Sequence, residues 1–160
     1  MANRKQTPDA SDFDLNRIAG YRLSALSNRL TLWSARVYRR EFGVSSLEWR
    51  VLASLAALGP VTARDVAEFA VLDKSNVSRA VHRLTHRGFV EQAGHPVDGR
   101  SRILALTRVG RTLHGKIAAH SRRRDADLFR GFTESERESF TAFLTRLDER
   151  ARLLLEATER

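Results

Sequence analysis

Two apolar stripes, one near each end of the chain, constrain its fold most strongly. The first lies within residues 15–42, and its members are three or four residues apart: Leu23, Leu26, Leu30, Trp33 and Val37. The second follows residue 133 at a similar spacing: Phe140, Leu144, Leu147, Ala151 and Leu154. This spacing predicts long amphipathic helices. A chain of 160 residues offers too little internal surface to cover both stripes, so we expect the terminal helices to pair with a second copy.

The segment between the stripes predicts shorter elements. Residues that cap helices mark the expected helix starts: Ser45 with Glu48, Thr62 with Asp65, Asp73, Thr107, and Thr133 with Glu136. Gly88 is typical of the position just after a helix, here the fourth. Short strands at 89–93 and 102–106 flank a turn-rich loop and predict a hairpin. The order is therefore four helices, a hairpin and two further helices.

This order predicts a mainly α fold with a small β-hairpin wing. A winged helix-turn-helix lobe is expected at residues 45–107. The long N-terminal helix at 15–44 and the C-terminal helices at 108–160 are expected to form a dimerisation domain. Residues 1–14 are polar and predict a flexible tail that lacks the apolar stretch of a signal peptide. No apolar run is long enough to span a bilayer, so we expect a cytoplasmic protein.

The positive charge is concentrated in the middle of the chain. The whole sequence carries a net charge of +9, whereas residues 74–124 alone hold 12 Lys and Arg against 2 Asp and Glu. A concentrated basic field attracts polyanions. A membrane anchor would also need large apolar residues opposite the basic face of an amphipathic helix. Double-stranded DNA is therefore the expected partner, with an ordinary solvated basic surface as the alternative.

The fourth predicted helix has the side chains that contact with base edges requires. At about 100° per residue, one arc of this helix is apolar: Val77, Ala80, Val81 and Leu84. The opposite arc contains no acid: Ser75, Ser78, Arg79, His82, Arg83 and His86, with Asn76 at the margin. Arg, Asn, Ser and His can bond to base edges in the major groove, where a carboxylate would be repelled by phosphates. The alternative is an amphipathic helix with a merely polar surface.

The chain resembles the MarR family of transcriptional regulators over about residues 15–155. The segments that carry the resemblance are S-L-E-W-R-V-L at 46–52, G-P-V-T at 59–62, L-D-K-S-N-V-S-R at 72–79, G-F-V at 88–90, D-G-R-S at 98–101, L-A-L-T at 104–107, and Gly110. The resemblance implies an obligate dimer, a recognition helix at 75–87 and an arginine-tipped wing in the minor groove. It also implies a small-molecule pocket between the dimerisation helices and the DNA-binding lobe.

The predicted DNA-contacting residues lie on the recognition helix, the helix before it and the wing. They are Thr62, Lys74, Ser75, Asn76, Ser78, Arg79, His82, Arg83, Asp98, Arg100 and Arg102. A guanidinium at the wing tip, Arg100, suits a narrow minor groove, which has a strongly negative potential. Asp98 is a poor phosphate ligand and is expected to orient Arg100. A simple ion pair within the loop is the alternative.

The effector pocket is less clearly marked. Trp33, Arg36 and Tyr38 on the first helix, with Trp49 and Arg50 on the second, could line a cleft for a small aromatic acid. Arginine beside aromatic rings suits a carboxylate. The alternative is that the two tryptophans are core or interface residues and that the arginines are solvated.

Several functions are disfavoured. The absence of cysteine excludes disulfides, thiolate metal sites and the thiol-based peroxide sensors of the family. His82 and His86 have a metal-compatible spacing but no neighbouring ligands, and His114 and His120 do not share a helix face. No phosphate-binding glycine loop, nucleophile elbow or pair of catalytic carboxylates is recognisable, so we expect neither an enzyme nor a cofactor.

Two other functions remain as alternatives. One is an architectural DNA-binding protein without sequence preference, which would not need Asn76, Arg79 and His82 on one face. The other is a basic enzyme subunit or a protein-interaction module, which would have no affinity for DNA at low salt.

Overall fold

The computed structural model describes residues 14–98 and 101–158. Within these ranges the chain forms six α-helices and three β-strands: α1 (Ala19–Phe42), α2 (Ser46–Leu58), β1 (Val61–Thr62), α3 (Ala63–Ala70), α4 (Lys74–His86), β2 (Val90–Gly94), β3 (Arg102–Leu106), α5 (Arg108–Leu128) and α6 (Glu134–Thr158). The predicted fold class is confirmed. Helix α1 begins later than the predicted residue 15, because Leu15–Arg17 form a 3-10 turn capped by Asp14.

The predicted caps are present and explain where the helices begin. Ser45 and Glu48 form a reciprocal capping box at α2, in which each side chain accepts the backbone N–H of the other. Thr62 and Asp65 do the same at α3. A third reciprocal pair, Thr133 and Glu136, precedes α6. Each pair satisfies two N–H groups that have no partner within their own helix.

The wing belongs to a three-stranded sheet rather than to a hairpin alone. Strands β2 and β3 are antiparallel, with Val90 opposite Leu106 and Gly94 opposite Arg102. Strand β1 pairs with the other edge of β3, with Thr62 opposite Ile103. The sequence prediction missed β1 because two residues are too few to show the alternation of a strand.

Hydrogen bonds of Thr107 connect the base of the wing to the start of α5. The Thr107 hydroxyl donates to the carbonyl of Gly88 at 2.7 Å and accepts the N–H of Gly110 at 3.0 Å. A Cβ on Gly110 would lie 2.0 Å from the carbonyl oxygen of Phe89. Only glycine fits at this position, since real Cβ atoms do not approach a backbone oxygen so closely.

The chain divides into two compact units, the first ending at Ile117 and the second beginning at Ala118. The first unit has its main core among α2, α3, α4 and the sheet: Val51, Leu52, Leu55, Val66, Ala67, Val77, Ala80, Val81, Leu84, Val90, Leu104 and Leu106. A second cluster joins Tyr38, Val44 and Ile117. The functional division at residues 44/45 and 107/108 stays a prediction.

The second unit contains an aromatic cluster at the start of α6. The ring of Phe129 lies 5.5 Å from that of Phe140, in an edge-on arrangement. The Arg137 guanidinium lies 5.1 Å from the centre of the Phe129 ring. Helix α6 has no buried residue, and Leu147 and Leu154 of the predicted stripe are about half exposed in the single chain.

Candidate nucleic-acid interface

Helix α4 has two faces of different chemistry. Its apolar residues are buried in the core: Val77, Ala80, Val81 and Leu84. Its other face is exposed and bears hydroxyl, imidazole and guanidinium groups: Ser75, Ser78, Arg79, His82, Arg83 and His86. Asn76 is half-buried between the two. This division follows the predicted periodicity, and α4 contains no acidic residue.

Asp73 is the N-cap residue of α4. Its carboxylate accepts hydrogen bonds from the Ser75 hydroxyl at 2.5 Å and from the N–H groups of Ser75 and Asn76 at 2.8 and 3.2 Å. The hydroxyl bond and then the two N–H bonds hold the pKa of Asp73 below its usual value. Because these N–H groups are satisfied internally, contact between α4 and a polyanion depends on side chains.

Two of the predicted base-contacting residues bond to each other. A terminal guanidinium nitrogen of Arg79 donates to the side-chain carbonyl of Asn76 at 2.7 Å. The two residues are about one helical turn apart, and Arg79 is exposed whereas Asn76 is half-buried. The Arg79 guanidinium is thereby restricted in orientation, and several of its N–H donors remain available.

Arg83 has a partner that sequence analysis missed. Its Nε donates to the Glu48 carboxylate at 3.0 Å, and the N–H of Ser45 donates to the same carboxylate at 2.7 Å. Burial raises the pKa of Glu48, but the bonds from Ser45 and Arg83 outweigh it and hold that pKa below its ordinary value. Sequence analysis assigned Glu48 only to the capping box, and no local spacing links residues on separate helices.

The other predicted DNA-contacting residues occupy varied environments. Lys74 and Arg102 are exposed, at the start of α4 and at the start of β3. The Thr62 hydroxyl donates to the Asp65 carboxylate at 2.7 Å, so it is engaged in the α3 cap. Asp98 accepts the hydroxyl of Ser101, and Arg100 lies outside the described residues. The proposed pairing of Asp98 with Arg100 therefore stays a prediction.

The predicted effector-binding residues only partly come together. The rings of Tyr38 and Trp49 are 5.9 Å apart, and the His114 imidazole stacks on Trp49 at 5.3 Å. Tyr38 is buried and Trp49 half-buried. The Arg50 guanidinium donates to the carbonyl of Ala70 at the end of α3, so it supports the fold there.

Trp33 and Arg36 are exposed on α1. In the described part of the chain, no three His, Cys, Asp or Glu residues are grouped so that they could bind a metal ion. None of the described helices is both long and apolar enough to cross a membrane.

Comparison with known proteins identifies the architecture. Residues 42–101 match the model of the MarR family. The HTH-type transcriptional repressor IacR of Pseudomonas putida is 25% identical over 129 residues, which is 81% of this chain and 77% of that protein. The crystal structure of a MarR/EmrR family transcriptional regulator from Acinetobacter sp. ADP1 has 27% identity and a TM-score of 0.81, covering 88% of this chain and 99% of that one.

A further similar structure is the PcaV transcriptional regulator from Streptomyces coelicolor, solved in complex with its natural ligand. It has 26% identity and a TM-score of 0.71, covering 87% of this chain and 97% of that one. The family match falls on α2, β1, α3, α4 and β2, and it includes the exposed face of α4. Residues 42–101 thus match the MarR family, and the chain has the winged helix-turn-helix fold of the transcriptional regulators to which it is similar.

Proposed function

We propose that the chain binds a near-palindromic operator as a homodimer and represses transcription until a small aromatic acid releases it. The observation that carries this proposal is the acid-free exposed face of α4, on a helix whose opposite face is fixed in the core. A rigid helix with Arg, Asn and Ser side chains directed away from the core suits the donors and acceptors of the major groove. The IacR relative, a repressor by name, supports the sign of regulation.

Dimerisation is proposed from the apolar stripes. Leu144, Leu147 and Leu154 on α6 are each more than a third exposed in the single chain. Leu26 and Trp33 on α1 are exposed to a similar degree. Apolar residues repeated at helical spacing are covered most simply by a second copy, and a two-fold dimer would place two recognition helices on an operator with two-fold symmetry.

Operator binding is tested by titration with duplexes from the region upstream of the coding sequence and with scrambled duplexes. We expect binding to the operator to be tighter by about 10³-fold or more, with half-sites about 10 base pairs apart. If the dimer neutralises about 6–10 phosphates, the log–log salt slope lies near −5 to −9. Equal affinity for both duplexes would support the architectural alternative, and no affinity at low salt would exclude both.

Release by an effector is proposed from the aromatic residues on α1 and α2 and from the ligand complex of PcaV. Trp33 and Trp49 are the only two tryptophans of the chain, so their fluorescence reports directly on this region. We expect a benzoate-type acid to quench it saturably and to release operator DNA over the same concentration range. The variant Trp49→Phe assigns the signal. Quenching without release of DNA would contradict an effector role.

A further inference from the structure

A pocket of about 690 Å³ lies between the end of α1, the start of α2 and the second half of α4. Its lining includes four ionic side chains and two histidines: Arg39, Glu48, Arg83 and Arg87, with His82 and His86. Of these, His82 and Arg83 belong to the exposed face of α4, whereas Arg39 comes from the last turn of α1. The pocket therefore adjoins the proposed DNA-contacting surface but draws on a helix outside it.

The charge of this pocket is strongly positive. Three guanidinium groups line it against the single carboxylate of Glu48, and two imidazoles offer further polar nitrogen atoms. That carboxylate is already bonded to Arg83 and to the N–H of Ser45. An anion entering the pocket would thus meet cationic donors without an uncompensated negative charge.

The basic side chains of the pocket differ in whether they already have a partner. Arg87 is fixed, because its guanidinium donates to the carbonyl of Gly43 at 2.8 Å and lies 4.8 Å from the centre of the Phe89 ring. Within the described residues, the side chains of Arg39, His82 and His86 have no hydrogen-bond or ion-pair partner. Unused donors beside fixed positive charges are the features of an oxyanion site.

We propose that this pocket binds a backbone phosphate of DNA, on the strand that runs beside the second half of α4. The inference rests on the proposed function, because it takes α4 to enter the major groove. A groove about 12 Å wide places a phosphate strand on each side of an inserted helix. Arg39 then contacts the phosphate from α1, and His82 and His86 from α4. Such a contact fixes the position of the recognition helix and carries no sequence information.

The test compares Arg39→Ala with Arg40→Ala. Arg40 is the next residue, is exposed, and does not line the pocket. Each variant is titrated at several salt concentrations with the operator duplex and with a single-base variant of it. We expect Arg39→Ala to weaken binding to both duplexes by the same factor, about 10-fold. The salt slope should become shallower by about 2, because a dimer has two such pockets. We expect Arg40→Ala to change the affinity for either duplex by no more than about 2-fold. The variant Arg39→Lys should recover most of the wild-type affinity.

Three outcomes would overturn the proposal. Equal losses for Arg39→Ala and Arg40→Ala would mean that only the general field matters. A change in base preference by Arg39→Ala would mean that Arg39 contacts bases. If Arg39→Ala bound DNA normally, while inorganic phosphate shifted the His82 and His86 imidazole resonances of the wild type alone, the pocket would hold a free anion instead. Failure of the proposed function is separate: the wild type itself would then not distinguish the operator from its variant.

Discussion

Glu48 at the first turn of α2 and Arg83 on α4 form an ion pair, with 3.0 Å between Oε1 and Nε, although they are 35 residues apart in the chain. The Glu48 side chain is 6% exposed and that of Arg83 49% exposed. The pair joins α4 to the capping box at the start of α2. Arg83, which the sequence predicts to contact DNA, is therefore already paired with a carboxylate.

Replacing Glu48 by Gln should destabilise the lobe by about 1–2 kcal/mol, because the amide keeps the capping geometry but loses the charged bond to Arg83. The pKa of Glu48 is lowered in the fold, so its contribution to stability is complete above the ordinary carboxyl value of 4.5 and is lost as the pH falls below it. Urea unfolding between pH 7 and pH 3 tests this. The difference between wild type and Glu48→Gln should be constant down to about pH 5 and then shrink. A difference that grew toward pH 3 would contradict the assigned role.

Replacing Gly110 by Ala should destabilise the chain by about 3 kcal/mol, since the added Cβ would overlap the Phe89 carbonyl and force the wing base away from α5. The matched control is Gly115→Ala in the same helix, where a Cβ meets no atom within 4 Å. That change should be neutral or stabilising by up to about 1 kcal/mol. Thermal unfolding of both variants measures this, and equal effects would show that the close approach at Gly110 is unimportant.

Val71, between α3 and α4, has a φ of 49° and a side chain that is 80% exposed. A β-branched residue is strained in this left-handed conformation, and little packing is lost on replacing it. Val71→Asn and Val71→Gly should therefore stabilise the chain by about 0.5–1 kcal/mol, whereas Val71→Ala should gain less. Chemical denaturation of the three variants is the measurement. Destabilisation by Val71→Asn would mean that the valine side chain has a packing role.

Arg79→Ala and Arg100→Ala should affect specificity differently. If Arg79 bonds to a guanine, its loss should cost about 1–3 kcal/mol on the operator and relax the preference at one position in each half-site. Arg100→Ala should weaken operator and mismatched sites alike, apart from a dependence on flanking A·T content, because the minor groove discriminates poorly. Asp98→Ala should act like Arg100→Ala but more weakly. Titrations against single-base operator variants at fixed salt would reveal a reversal of the two roles.

Ending the chain before Thr133 should abolish the dimer and, with it, operator binding. A milder variant, Leu147→Glu, places a charge in the α6 stripe, and Arg146→Glu changes the neighbouring residue outside that stripe. Sedimentation equilibrium should give a monomer for Leu147→Glu and a dimer for Arg146→Glu. A stable dimer after truncation, or unchanged affinity of a monomer for each half-site, would refute the assignment of this stripe.

The sequence predicts those features that depend on neighbours three or four residues away. The capping box of Ser45 with Glu48 and the two faces of α4 are of this kind, because helix geometry brings such residues together in any context. The exact start of α1 escaped prediction, since Leu15 continues the apolar pattern although Ile18 is extended.

Features that join distant segments could not be predicted in this way. Thr62 pairs with Ile103 across the sheet, Glu48 reaches Arg83, and Gly110 adjoins Phe89 only because the fold places them together. The pocket at Arg39 is of the same type: its lining comes from three helices, and its basic residues are scattered between positions 39 and 87. A pattern of charge along the chain locates the basic region but not the cavity within it.

Thr62 belongs at once to β1 and to the cap of α3, so the outer strand of the sheet continues directly into the helix-turn-helix. The wing is thereby connected to α3 through β1, and α3 packs on α4. We therefore expect a displacement of the wing to be passed to α4 through β1 and α3, and a displacement of α4 to be passed to the wing by the same route. The lobe should move as one rigid body when it binds DNA or an effector. The wing and α4 should then leave the DNA together rather than one after the other.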